Sequence, residues 1–132
     1  MSNRVAIIGA GPLPVYEGLS SMGPGIRTWQ LCKPVLQAGF ETLLVTFEFA
    51  LPPDSGWDFS HPKYSSEIPG SMEHISLPEP EPDEYDRVVE DLRRRLEKFQ
   101  PDAVISAGTF FAARLAASID WPAPLWIDVF GH

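Results

Sequence analysis

The sequence predicts an α/β fold, a three-layer α/β/α sandwich around a mainly parallel sheet, and three observations carry that expectation. Short, β-branched and nearly all-apolar runs recur at Arg4 to Gly9, Phe40 to Phe49 and Asp102 to Gly108. Strands of that composition belong inside a sheet covered on both faces. Stretches of helical period lie between them, and strands alternating with helices imply right-handed crossovers between parallel neighbours. At 132 residues, with 44% hydrophobic and 21% charged residues, the chain suits one layered domain spanning 1–132.

Each element has its own signal. The first run, RVAIIG, leads through Gly9-Ala10-Gly11 into a Gly/Pro-bearing polar stretch that lasts to Gly25. A helix is predicted from near Gly25 to Gly39, the latter suited to the left-handed position past a C-terminus. Pro34, inside it, is expected to kink or split it. After the strand Phe40 to Phe49, the segment Ala50 to Gly70 carries Pro52, Pro53, Pro62 and Pro69 among Trp57, Phe59 and Tyr64. Prolines remove ladder donors and fix the backbone, so this segment reads as an ordered but irregular excursion. Glu73 to Pro78 returns to the sheet. Tyr85, Val88, Val89, Leu92, Leu96 and Phe99 then fall on one apolar helical stripe, with Pro82-Asp83 as start signal and Pro101 as stop. The strand DAVISAG, the small-residue helix TFFAARLAASI and a fifth strand from Pro124 to His132 complete the set. A last strand without a covering helix leaves Trp126, Val129 and Phe130 partly bare. The chain is therefore expected to be a fragment, or a subunit completed by a partner on that strand.

Composition excludes several function classes. A net charge of -8 argues against a nucleic-acid surface and against anionic lipid bound through a basic face. Arg93-Arg94-Arg95 stands among Glu90, Asp91 and Glu97 and reads as a solvated helix face. No apolar run approaches the roughly 20 residues of a membrane helix, and no signal peptide is evident, so a cytoplasmic protein is expected. The lone Cys32 permits neither an internal disulfide nor a thiolate metal site and reads as a core residue. His61 and His74 lack metal spacing and read as surface residues, no Ser-His-Asp arrangement is evident, and no metal is expected.

Two glycine clusters compete as a ligand site. A dinucleotide turn needs Gly-x-Gly-x-x-Gly leading at once into a helix. After Gly9 and Gly11 the third glycine position is Pro14, and about a dozen non-helical residues follow. Glu48 stands where the acid for a ribose belongs, but one acid in an acidic chain is weak support. Gly23-Pro24-Gly25, by contrast, stands directly before a predicted helix N-terminus, where free N–H groups and the helix dipole attract an anion. Arg27 and Thr28 would add a charged and a hydroxyl donor there, although a plain turn with Arg27 on the surface reads equally well.

The order of pieces resembles the Rossmann-like N-terminal half of a GT-B glycosyltransferase, of the family 4-like group. The likeness rests on the strand, the long loop with Gly23-x-Gly25-x-Arg27, the helix, LQAGFETLLVT, and KFQPDAVISAGTFFAARLAAS. Phe40 stands where the family commonly has histidine, and Ala50 to Gly70 matches no part of its pattern. The resemblance implies an acceptor-side domain of a transferase that uses a nucleotide-diphosphate sugar and no other cofactor. By position, Gly23, Gly25 and Arg27 would lie near the donor phosphates. Inverting relatives often carry a base histidine in the first loop, whereas this loop offers Tyr16 and Glu17, which points to retention. The cleft is expected beyond the strand C-termini, which adds Ala107 as a cleft residue, Gly108 and Thr109 as acceptor-side candidates with Tyr16 and Glu17, and Asp128 and His132 as candidate catalytic residues. The family binds the nucleotide mainly through a C-terminal domain that this sequence lacks, so this chain alone is expected to be inactive. The alternatives are a non-catalytic Rossmann-like interaction module and a dinucleotide-dependent oxidoreductase domain.

Overall fold

Arg4–Gly11 forms strand β1, and seven of its eight residues are buried. Such a strand is stable only at the centre of a sheet with both faces covered. The computed structural model, which describes residues 3–21, 23–49, 51 and 54–128, places it there. The elements that follow are α1 (Gly23–Gln37), β2 (Glu41–Glu48), β3 (Met72–Pro78) and α2 (Tyr85–Phe99), the last entered through a 3-10 turn at Pro82–Glu84. β4 (Ala103–Ser106), α3 (Phe110–Ile119) and β5 (Leu125–Ile127) complete the order. The sheet runs β3-β2-β1-β4-β5 with every pair parallel, a small Rossmann-like α/β fold.

Side-chain parity assigns the two faces. Val5 and Ile7 of β1 and Leu44 of β2 pack with Cys32 and Leu36 of α1. Ala6, Ile8, Leu43, Val45 and Phe47 point the other way, onto Val89, Leu92 and Leu96 of α2 and Ala112, Leu115 and Ile119 of α3. Cys32 is fully buried, and burial pushes its thiol up to about 12, as befits an inert core residue. Arg93 joins α2 to α3, donating to the carbonyls of Ile119 (3.3 Å) and Ser118 (3.2 Å) while its Nη1 meets Glu90 at 2.8 Å.

The sheet is parallel throughout, as the predicted fold class requires. The expectation for α1 needs adjustment. α1 starts at Gly23 and runs unbroken through Pro34 to Gln37 instead of splitting. Pro34 and Gln30 are exposed, so water can serve the Gln30 carbonyl that the proline ring leaves without an N–H. The helix closes as the sequence suggests, with Gly39 at φ 91° donating to Leu36 O at 3.0 Å. β5 exposes Leu125, Trp126 and Ile127, with Trp126 68% accessible. Val129 and Phe130 lie outside the described residues. Among the described residues no helix is long and apolar enough to cross a membrane.

The first turn of α1 sits directly on the end of β1. A Cβ on Gly25 would lie 1.9 Å from the carbonyl oxygen of Pro12, so only glycine permits this approach. Thr28, fully buried, donates to Pro24 O at 2.8 Å and accepts from the Ala10 N–H at 3.1 Å. Gly108, at φ 86°, brings the β4–α3 junction against the same Pro24 carbonyl. Gly25→Ala is expected to cost more than about 2 kcal/mol, because backbone on both sides must shift. Gly23→Ala, whose Cβ would meet nothing within 4 Å, should stay within about 0.5 kcal/mol of the parent. Urea unfolding of both variants checks this, and equal losses would contradict the seating described.

Candidate functional site

Strand order reverses at β1, with β2 on one side and β4 on the other. Connections leave these strands in opposite directions, and the crevice at their C-terminal ends is where open α/β sheets bind ligands. The chain leaves β1 through a cis Gly11–Pro12 peptide, and the mouth of α1, the Ala107–Thr109 turn and Asp128 gather around this crevice.

Arg27 and Asp128, 101 positions apart, meet there as a fork. Nε donates to Oδ2 at 2.8 Å and Nη2 to Oδ1 at 2.7 Å. The Asp128 side chain is 7% exposed and that of Arg27 42%. Hydrogen bonding to Asp128, and then its charge, holds the guanidinium above its ordinary pKa. Two of the five guanidinium N–H groups are engaged in this fork, and the aspartate orients the rest. Both Asp128 oxygens accept from Arg27, so this carboxylate positions a cation.

The other sequence candidates separate. Gly23 is open, whereas Gly25 faces Pro12 and the Thr28 hydroxyl is committed to backbone. Gly108 packs on Pro24, and the Thr109 hydroxyl caps α3 by accepting from the Ala112 N–H at 3.1 Å. Glu17 is exposed on the loop. His132 lies outside the described residues. Among the described residues no group of three or more His, Cys, Asp or Glu could hold a metal ion.

Tyr16 belongs elsewhere, to a buried polar cluster on the α1 side of β2 and β3. Its hydroxyl bridges the carboxyl oxygens of fully buried Glu48 at 2.6 and 2.9 Å. Thr46 Oγ1 lies 3.3 Å from Glu48 and 2.8 Å from His74 Nε2, and the Tyr64 hydroxyl lies 2.6 Å from His74 Nδ1. Trp57 stacks on Tyr16 at 4.3 Å and donates to Ser76 Oγ at 3.1 Å. The roof is two loops joined to each other. Glu17 N–H donates to Lys63 O at 2.9 Å and Ser65 N–H to Val15 O at 2.8 Å, around an antiparallel Tyr16–Tyr64 bridge. His74 is thus not the surface residue its spacing suggested, because the 54–70 excursion folds over it. A signal was present: Thr46 and Glu48 are polar at alternate positions of one apolar strand, and His74 and Ser76 at alternate positions of the next.

Glu48 has no cationic partner among the described residues, so its charged form is poorly solvated. Burial raises its pKa to about 7 despite hydrogen bonds from Tyr16, Thr46 and Ser76. Burial lowers His74 to about 4 and, with Glu48, drives the Tyr16 phenol far above its ordinary range. Glu48 also closes the first glycine cluster, since a Cβ on Gly11 would lie 1.9 Å from its Oε1. Glu48 itself is fully buried.

The two shifts make opposing contributions to stability. Glu48 holds its proton more tightly when folded, so its contribution is complete below about pH 4.5 and is lost as pH rises through about 7. His74 holds its proton less tightly when folded, so its contribution is complete above about pH 6.5 and is lost as pH falls through about 4. Between these limits folding passes one proton from imidazole to carboxyl with no net uptake. Relative to the parent, Glu48→Gln should add a slope of about +1.4 kcal/mol per pH unit across pH 4.5–6.5, and His74→Gln the reverse. Urea unfolding at a series of pH values measures both, and parallel profiles in all three proteins would refute the paired shifts.

No protein-family model, curated protein or solved structure matches the chain, so the identification that can be made is of the fold, a small all-parallel Rossmann-like domain.

Proposed function

We propose that the chain is the acceptor-side N-terminal domain of a retaining, nucleotide-sugar-dependent glycosyltransferase of GT-B type. One observation carries the reading. At the point where strand order reverses, the mouth of α1 presents open Gly23 and a cation, Arg27, aimed by Asp128. A helix N-terminus beside an oriented guanidinium suits the diphosphate of a sugar donor, which carries most of that ligand's charge. In this reading the acceptor lies between the first loop, through Glu17, and the Gly108-Thr109 turn, and Tyr16 shapes that loop from below. A C-terminal GT-B domain or partner subunit supplies the nucleotide pocket and covers exposed β5. The buried lone thiol fits a cytoplasmic, reducing setting. Against the dinucleotide alternative stands Glu48, which fills the space beside Gly11 where a pyrophosphate would approach.

Amide NMR titration of the chain with UDP, GDP and NAD tests the proposal. The diphosphates are expected to shift Gly23, Gly25 and Arg27, and Arg27→Ala to weaken them about tenfold. Tight NAD binding at Gly9 to Gly11, or diphosphate binding indifferent to Arg27→Ala, would overturn it.

A further inference from the structure

At the opposite end of the sheet from the crevice, a groove of about 550 Å³ runs between β3 and the last turns of α2. Its floor is apolar, made by Leu43, Ile75 and Phe99, and its rim carries Arg94, Arg95 and Lys98 facing Glu73. The lining has a net charge of +2 in a chain of net charge -8.

The basic run lies on an exposed helix face, and its members divide into paired and unpaired cations. Arg93 and Arg95 have carboxylate partners one turn back, Glu90 at 2.8 Å and Asp91 at 3.0 Å. Among the described residues Arg94 and Lys98 have none. They stand at i and i+4, where like charges destabilise a helix by a few tenths of a kcal/mol. The negative end of the α2 dipole accounts for a cation at Lys98. It does not account for Arg94 one turn earlier, or for all three cations lining one hollow.

We propose that this groove binds a small phosphomonoester with an apolar body. A phosphate matches the unpaired cations Arg94 and Lys98, which outweigh Glu73 while Arg95 is held by Asp91, and the Arg94 fork offers it paired donors. Leu43, Ile75 and Phe99 take the apolar portion, and the volume lies within the range of small-molecule sites. Glu73 disfavours the anion and limits affinity. The site is independent of the crevice and stands whatever ligand the crevice takes.

Titration of the full chain with phenyl phosphate, inorganic phosphate and phenol, followed by amide NMR, tests this. Phenyl phosphate is expected to bind at least about tenfold tighter than either fragment, shifting Ile75, Arg94 and Lys98. The pair Arg94→Ala and Lys98→Ala should reduce that affinity at least about tenfold with little change in the melting midpoint, because the relieved repulsion between the two and the lost dipole interaction of Lys98 are each a few tenths of a kcal/mol and oppose one another. Glu73→Gln should tighten it severalfold, and added salt should weaken it. The proposal is overturned if inorganic phosphate binds as well as phenyl phosphate. It is equally overturned if the double variant binds like the parent, or if no saturation occurs below about 10 mM.

Discussion

The contact on which the rest of the architecture depends is the landing of α1 on the exit of β1. Glycine at position 25 lets helix backbone touch the Pro12 carbonyl, and the Thr28 hydroxyl ties Pro24 to Ala10. Gly108 then brings the β4–α3 turn to the same carbonyl of Pro24. Three segments distant in sequence thereby share one small volume, and the crevice is the space left beside it. The Arg27–Asp128 fork draws the residue after β5 into the same assembly. A guanidinium that depended on solvent alone would sample many rotamers, whereas this one presents its remaining donors along a direction set by the aspartate.

The cluster around Glu48 is held by different physics. A carboxyl removed from water without a cation is tolerated by holding its proton to higher pH and by finding hydroxyl partners. Tyr16, Thr46 and Ser76 supply those partners, and Thr46 passes the network on to His74 and Tyr64. The result is a polar core under two loops in a place where the β2–β3 crossover provides no helix among its described residues. Specific hydrogen bonds there do what an apolar helix face does elsewhere on the sheet, which is to fix one arrangement of the covering chain.

How legible this was depended on range. Strands such as RVAIIG, the α2 stripe and the Gly39 stop are written in local pattern, and the structure reproduces them within a residue or two of their expected ends. The crevice residues were also nameable, because a helix mouth and strand ends follow from element order. What could not be read was pairing over distance. Nothing near Arg27 announces Asp128, and nothing near His74 announces Tyr64 and Thr46. Pro34 misled because its effect depends on whether the orphaned carbonyl faces water. Glu48 reads as a generic acid when taken singly, whereas its alternation with Thr46 places both on one face of the strand.

The bridge between Tyr16 and Tyr64 binds two insertions from different crossovers into one unit. Their lengths are therefore not independent. Shortening the 54–70 excursion by a few residues would uncover Glu48 and leave the first loop without its hydrogen-bonded partner, while lengthening either would slide one tyrosine past the other. Surface loops ordinarily drift in length because they answer to nothing but their own ends. Here each is the template for the other, so any lineage carrying this fold with this cluster would have to change both together or abandon the buried acid.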